Sequence, residues 1–187
     1  MPSPQSNFMQ LIRRAQSGDE AAFAELIEAC YDQMYGCALK YAGNKPDAED
    51  ITQQACIKLA RSIHQFRFEA AFSTWVFRLV INCAKDWFRS RARHEQPPSA
   101  TAQDTSQEVM TENVPESTAD SSSLIYLAQI LDQVAAFGEG FREAVVLVLG
   151  EGLSHRDAAE VLGVKESTVS WRIHETRKRL AQQEAAS

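Results

Sequence analysis

The sequence predicts an all-α protein with two small helical domains joined by a flexible acidic linker. Apolar residues recur at helical spacings of three and four on both sides of residues 96–123, and strand-like alternation is absent. The segment 96–123 has three prolines, no aromatic residue and no base. Because it would bury too little apolar surface to offset its ordering entropy, we expect it to stay unfolded. The predicted domains are therefore 1–95 and 124–187, with 96–123 between them.

Four helices are predicted in the first domain. Asp19 is the expected N-cap of the second helix. Asp47 and Glu49 are expected to cap the third, because the helix dipole favours acids in the first turn. Gly43 is expected to end the second helix before the third begins. The four helices are expected at about 7–17, 19–42, 47–63 and 72–91, with a loop at 64–71 before the last.

The second domain is predicted to end in a helix-turn-helix. Ser154 and Asp157 match a capping box with Asp in place of Glu, Gly163 marks a sharp turn, and Val164 fills its corner. In this motif the second helix enters the DNA major groove. An αα-hairpin that packs on a protein partner is the alternative. The helices of this domain are expected at about 124–137, 140–149, 154–162 and 165–182.

Polar, aromatic and basic residues lie on the side or the leading end of the last helix that could face DNA. Arg172 could bind guanine or only phosphate, and the bases near the end of the helix would bind phosphates. Trp171 could contact a thymine methyl group or a sugar, or it could anchor the helix by partial burial. The candidate DNA contacts are Ser167, Thr168, Ser170, Trp171, Arg172, Arg177 and Lys178.

Basic residues are concentrated on two helices of an acidic chain. The protein has 19 Lys and Arg against 25 Asp and Glu, a formal net charge of −6, yet bases outnumber acids within 78–93 and within 165–180. Two basic helices indicate two contacts with a polyanion, although two solvated helix faces are the simpler alternative. The net negative charge predicts that the free protein binds DNA poorly.

The basic residues of the fourth helix recur on one face. Asn82 could bind base edges, and the neighbouring bases could bind phosphates. Seven aromatic residues within 66–93 would suit unstacked single-stranded bases, although most of them are expected in the core. The face comprises Arg78, Asn82, Lys85, Asp86 and Arg89, opposite Val76, Val80, Cys83 and Trp87.

Other classes of function find little support. The four cysteines form no CxxC pair, and no metal-ligand spacing joins them to histidine, so neither a metal nor a cofactor is expected. We expect buried thiols in a reducing cytoplasm, with redox activity of Cys30 or Cys37 left open. No apolar run is long enough to insert into a membrane. The histidines are scattered and no catalytic motif is present, so an enzyme is the least favoured class.

Three stretches together resemble a bacterial RNA polymerase sigma factor of the extracytoplasmic-function (ECF) group. They are DAEDITQQACIKLARSIHQF at 47–66, FSTWVFRLVINCAKDWFRSRAR at 72–93 and the helix-turn-helix at 153–180. The resemblance covers about 7–93 and 124–182. It implies a region-two domain at 1–95 that binds core polymerase and opens the promoter −10 element. It also implies a region-four domain at 124–187 that reads the −35 element, and a protein that is not an enzyme.

The resemblance also implies particular contacts. Asp50 and Gln53 would bind the clamp coiled coil of the polymerase β′ subunit, and region four would contact the flap of the β subunit. The loop 64–71 would capture a flipped non-template base, next to the strand-reading positions Asn82, Asp86 and Arg89. An anti-sigma factor that covers the polymerase-binding faces of both domains is a further implied partner. The acidic linker would lie in the RNA exit path and imitate RNA.

The recognition helix departs from the family pattern. Many members read Val-(Lys/Arg)-Ser-Arg with a further base three residues later, whereas this chain has Val169-Ser170-Trp171-Arg172 and an acid, Glu175. We therefore expect a divergent −35 preference, or weak −35 contact compensated by the −10 element.

Two alternatives remain from sequence alone. A helix-turn-helix regulator that acts without polymerase would dimerise and bind a palindrome. It would leave the first domain without a role. A sigma mimic would use the same faces only to titrate an anti-sigma factor.

Overall fold

The computed structural model describes residues 4–95 and 118–184, and all regular secondary structure in these ranges is helical. The predicted all-α fold class is confirmed. A 3₁₀ turn (Ile63–Gln65) follows α3, and a π-helical turn (Val146–Gly150) continues α6. Residues 96–117 of the predicted linker lie outside the described ranges. Residues 118–123 were also predicted to stay unfolded, which was wrong, because they begin the fifth helix. The helices are α1 (Pro4–Gln16), α2 (Glu20–Ala42), α3 (Lys45–Ser62), α4 (Phe72–Glu95), α5 (Thr118–Ala135), α6 (Phe141–Val145), α7 (His155–Leu162) and α8 (Glu166–Glu184).

The helix ends of the first half follow local hydrogen bonding. Asp19 is the N-cap of α2, as predicted, and its carboxylate accepts a 3.0 Å hydrogen bond from the Ala22 amide. That bond, followed by the nearby Arg14, lowers the pKa of Asp19. The prediction for α3 was wrong, because the N-cap is Asn44, whose side-chain oxygen accepts from the Asp47 amide at 2.9 Å.

The buried Asp47 carboxylate instead joins α3 to α4. It accepts a 2.9 Å hydrogen bond from the Asn44 side chain and forms a 2.9 Å ion pair with Arg91 near the end of α4. An acid that is mostly removed from water needs such partners, since unpaired burial of a charge is costly. The pair links the two helices that carry the candidate binding residues.

The core of the first half lies between α2, α3 and α4, with α1 packed on α2. Each large aliphatic side chain that is fully buried contributes about 1.5–3 kcal/mol to folding. These side chains include Leu26, Met34, Ile51, Leu59, Val76 and Val80.

The second half contains the predicted helix-turn-helix. Ser154 caps α7 by accepting from the Asp157 amide, and α7 ends at Gly163, whose φ of 66° is the left-handed conformation that favours glycine. Val169 and Ile173 hold α8 against the preceding helices. The outer side of α8 is therefore free of the core.

The two halves pack against each other in a single continuous core. Helix α2 contacts α5 and the π-helical turn, and α4 contacts α7. The buried Gly43, at the end of α2, lies directly against Ala128 of α5. This packing between distant parts of the chain was not predicted from sequence.

Candidate nucleic-acid interface

Helix α4 presents the predicted basic face. Arg78, Asn82, Asp86 and Arg89 are exposed and Lys85 is half-buried. On the opposite side, Val76, Val80 and Cys83 are fully buried and Trp87 is half-buried. The helical spacing thus separates the core side from the charged side as predicted.

Asp86 organises two bases on this face. Its carboxylate accepts a 3.0 Å hydrogen bond from Lys58 of α3 and lies 3.8 Å from the Arg89 guanidinium. The hydrogen bond to Asp86 raises the pKa of Lys58. Lys58 therefore joins the basic face, although sequence reasoning missed it because it belongs to a different helix.

The loop before α4 borders a small polar cavity of about 250 Å³. Trp75 offers an aromatic surface there, while Thr74, Gln65 and two arginines offer hydrogen-bond donors. Glu160 of the second half closes one side. The lining residues are Gln65, Phe66, Arg67, Glu69, Ala70, Thr74, Trp75, Arg78 and Glu160.

Phe68 has a strained backbone conformation that shapes this loop. Its φ of 59° is in the left-handed region, which is unusual for an aromatic residue. The ring lies 4.8 Å from that of Phe66 and 5.4 Å from the Arg13 guanidinium, centre to centre. Behind the loop, aromatic side chains line a larger apolar cavity of about 560 Å³ between α1 and α2. Packing of aromatic rings therefore holds the loop in place.

Helix α3 presents a different, mostly uncharged patch. Asp50 and Gln53 are exposed, as a binding role requires, and Ile57 follows on the same side with 45% of its surface exposed. Sequence reasoning missed Ile57. The available signal was a large aliphatic residue one turn after Gln53.

The outer face of α8 differs from the predicted one. Ser167, Trp171, Arg177 and Lys178 are exposed, and Thr168 and Ser170 are half-buried. His174 is exposed one turn after Trp171 and was missed, because sequence reasoning treated the histidines only as catalytic or metal-binding candidates. The exposed face therefore combines a serine, two aromatic rings and two bases.

Three side chains of α8 and their partners shape the edges of this face. The Ser170 hydroxyl lies 2.8 Å from Nδ1 of His155 on α7, which ties the two helices of the motif together. The Trp171 ring is 54% exposed and packs edge-on against Phe141 at 5.3 Å. The Arg172 guanidinium lies against the backbone of Gly140, which leaves no room there for a β carbon.

Glu175 is half-buried at the edge of α8. Its carboxylate forms a 2.7 Å ion pair with Arg179, which lowers the pKa of Glu175. The Arg179 guanidinium in turn lies over the rings of Phe137 and Phe141, at 5.1 and 5.8 Å. The acid thus positions a cation over aromatic rings at the edge of the helix-turn-helix.

The cysteines are free thiols. Burial raises the pKa of Cys30 to about 11, and burial also raises the pKa of Cys37. Thiols that stay protonated are poor nucleophiles. Among the described residues, no group of three His, Cys, Asp or Glu side chains could hold a metal ion. Within the same ranges, no helix combines the length and apolarity needed to cross a membrane.

Comparison with known proteins decides the family. Residues 26–94 match the family described as Sigma-70 region 2, and residues 139–180 match Sigma-70, region 4. The ECF RNA polymerase sigma-E factor of Haemophilus influenzae is 31% identical over 90% of this chain and 90% of its own length. The chain belongs to the ECF sigma factors.

Other matches agree with this assignment. The RNA polymerase sigma-H factor of Pseudomonas aeruginosa is 30% identical, over 93% of this chain and 92% of its own. CnrH, solved in complex with the cytosolic domain of CnrY, shares the fold with a TM-score of 0.69 at 24% identity, covering 95% of this chain and 96% of CnrH. The sigma factor RpoE of Bartonella quintana, solved with the anti-sigma factor NepR, has a TM-score of 0.61 at 19% identity, with coverages of 86% and 94%.

Membership gives both halves of this ECF sigma factor a role. Region 2 covers most of α2, all of α3 and nearly all of α4, and region 4 covers α6, α7 and most of α8. Sigma factors are not enzymes; they bind RNA polymerase and direct it to promoters. The alternative, a polymerase-independent regulator, left the first half without a role. The region 2 match instead identifies this half as a sigma factor domain.

Proposed function

We propose that this sigma factor directs initiation through three surfaces, one for core polymerase and two for promoter DNA. It acts in the cytoplasm, where polymerase transcribes, and carries out no catalysis of its own. The observation that carries this proposal is the exposed basic face of α4, which adjoins a polar cavity large enough for one nucleobase. The domain boundaries 1–95 and 124–187 belong to the same proposal.

The polymerase surface is the exposed side of α3. Asp50 and Gln53 supply polar contacts to the β′ clamp coiled coil. Ile57, on the same side of α3, supplies an apolar contact to the same partner. Ile57 is 45% exposed, so its replacement should change the unfolding free energy of the free protein little. Burial of the same side chain in an interface would contribute strongly to the free energy of binding.

The −10 surface is the outer face of α4 with Lys58. Arg78, Lys85 and Arg89 neutralise phosphates of the non-template strand, and Asn82 contacts a base edge. A flipped base enters the cavity beside Trp75, where aromatic stacking is worth ~1–3 kcal/mol per base. Asp86 holds Lys58 and Arg89 in place for this strand.

The −35 surface is the exposed face of α8. Arg177 and Lys178 bind phosphates, while Ser167, Trp171 and His174 lie where base edges and thymine methyl groups pass in the major groove. Thr168 and Ser170 belong to the margin of this face, and Arg172 supports it from the side by packing on Gly140. This arrangement supports the prediction of a divergent −35 preference.

Regulation by an anti-sigma factor is part of the proposal. RpoE of Bartonella quintana, a sigma factor with the same fold, was solved bound to the anti-sigma factor NepR. A polypeptide that covers the exposed side of α3 would prevent the sigma factor from binding core polymerase.

Run-off transcription tests the proposed function. Purified core polymerase is supplied with sheared genomic DNA of the source organism, with and without the sigma factor. Specific transcripts that require the protein, and that disappear for Asn82→Ala while core binding persists, are the expected result. Arg61→Ala, on an exposed position of α3 away from the three surfaces, is the matched control. Stoichiometric core binding without transcripts would indicate a sigma mimic, and a footprint without polymerase would indicate an independent regulator.

A further inference from the structure

Gln16, the last residue of α1, holds the start of the loop that borders the nucleobase cavity. Its side-chain amide nitrogen donates hydrogen bonds to the main-chain carbonyls of Ile63, at 3.0 Å, and Phe66, at 2.8 Å. Ile63 begins the 3₁₀ turn, and Phe66 is the first residue after it. An amide nitrogen has two N–H groups, one for each carbonyl. A single half-buried side chain therefore joins both ends of this turn to α1.

The two carbonyls belong to residues that are largely withdrawn from water. Ile63 is 5% exposed and Phe66 is 6% exposed. The Ile63 carbonyl also accepts from the Phe66 amide, at 3.1 Å, which closes the turn. A buried acceptor that loses a donor keeps the cost of desolvation without the bond that offsets it. Removal of the Gln16 amide would therefore favour a shift of this backbone toward water.

Two further residues of α1 contact the same stretch of chain. Arg13 lies one turn before Gln16, and its guanidinium is 5.4 Å from the centre of the Phe68 ring. The Phe8 ring packs edge-on against Phe72, at 5.8 Å between ring centres. Helix α1 thus contacts the loop segment at its start, in its middle and at its end.

The backbone that Gln16 holds is also the wall of the nucleobase cavity. Gln65 and Phe66 line this cavity together with Trp75, whereas Gln16 is not among the lining residues. The Phe66 ring lies 5.6 Å from the Trp75 ring, which is the proposed stacking surface. A shift of Phe66 would therefore change the space beside Trp75 that a flipped base would occupy.

We infer that Gln16 is a positioning residue for base capture, which sets the shape of the cavity from outside it. The inference rests on the proposed function of this cavity. It gives α1 a role in promoter opening, although α1 ends before residue 26, where the Sigma-70 region 2 match begins. Binding to core polymerase through α3, and to phosphates through α4, should not depend on this hydrogen bonding.

Hydrogen exchange of the full-length protein, followed by NMR, tests the positioning. Gln16→Met keeps the length of the side chain and removes its donors, so the Phe66 amide should exchange about fivefold faster than in wild type. Gln10→Met is the matched control, because Gln10 is an exposed glutamine of the same helix, and it should change nothing. Gln16→Lys can still donate to both carbonyls and should restore slow exchange. Circular dichroism confirms that every variant remains helical.

Strand binding by the holoenzyme tests the function. The probes are a fluorescein-labelled random-sequence single-stranded DNA 20-mer and an abasic 20-mer with the same phosphates, both measured by anisotropy. The dissociation constant of the abasic strand divided by that of the random strand reports how much the bases contribute. Gln16→Met should lower this ratio about fivefold and leave the affinity for the abasic strand unchanged, because base stacking is lost while phosphate contacts remain. Gln10→Met and Gln16→Lys should keep the wild-type ratio.

Three results would overturn the inference. A Phe66 amide that exchanges as slowly in Gln16→Met as in wild type would show that Gln16 does not hold the turn. Faster exchange with an unchanged ratio would show that the turn does not shape base capture. A wild-type ratio near one would mean that no base is captured, which contradicts the proposed cavity and the inference with it. The wild-type ratio therefore separates failure of the proposed function from failure of the positioning role.

Discussion

Replacing Gly43 by alanine tests the van der Waals contact between the two halves. Gly43 ends α2 with a φ of 74°, and a β carbon added there would lie 2.5 Å from Cβ and 2.9 Å from Cα of Ala128. The left-handed conformation alone costs an alanine about 1–2 kcal/mol. Because a backbone atom of α5 is involved, overpacking adds about 1–3 kcal/mol. We expect a total loss of roughly 2–5 kcal/mol of unfolding free energy.

Gly18→Ala is the matched control. Gly18 follows α1 in the same half with a φ of 90°, and nothing lies within 4 Å of its added β carbon. This variant should lose only the conformational part, about 1–2 kcal/mol. Urea unfolding followed by tryptophan fluorescence measures both, since Trp75 and Trp171 report on different halves. Lys40 and Glu151 form a 2.9 Å ion pair between the halves, and carbodiimide can join this amine and carboxylate covalently. If the halves separate to relieve the clash, the Gly43 variant instead loses this link.

Equal destabilisation of the two variants, with the link intact in both, would refute the reasoning. In that case no atom of α5 could lie where a β carbon at position 43 would project.

Three further predictions concern single residues. Burial raises the pKa of Tyr41 above its ordinary value of 10.0. The stability that its neutral hydroxyl contributes is therefore complete below pH 10 and is lost as the pH rises above that value. Tyr41→Phe should lack this alkaline loss of unfolding free energy in urea titrations at pH 9–11. Ile57→Glu should weaken binding to core polymerase at least tenfold in a pull-down or anisotropy titration. Tyr31, on α2, is about equally exposed, and Tyr31→Glu should not weaken it. Equal effects of the two variants would show that Ile57 is not part of the polymerase surface. Lys178→Ala should weaken promoter binding by the holoenzyme for all −35 sequences and reduce the salt slope by about 0.9, and an unchanged slope would mean that Lys178 contacts no phosphate.

The helices were predictable because their signals are local. Asp19 and Ser154 cap the helices for which they were predicted, and glycines stand at the turns between elements. The cap of α3 was misassigned for a local reason too. Several residues near Asn44 can cap, and the choice depends on where the chain leaves Gly43 in the left-handed conformation. A carboxylate in the first turn alone does not settle it.

The candidate surfaces were only partly predictable, because side chains choose partners that are distant in sequence. Spacing correctly placed Asn82 and Arg89 on one exposed face of α4. It could not show that Lys58 would join them, or that Arg78 would reach the carbonyls at the end of α7. Likewise, Arg172 was assigned by its place in a motif, whereas its orientation depends on Gly140, a residue of another element. Long-range packing therefore supplied what the motifs did not.

The left-handed Phe68 makes the loop beside the nucleobase cavity conditional on its surroundings. A glycine or asparagine would adopt that backbone conformation readily, whereas a phenylalanine holds it only while the rings around it remain packed. The conformation of the loop therefore depends on the packing of the aromatic cluster behind it. Gentle heating that loosens this cluster would disorder the loop before the helices melt. Promoter opening by this sigma factor should accordingly fail at a lower temperature than promoter-independent binding to core polymerase.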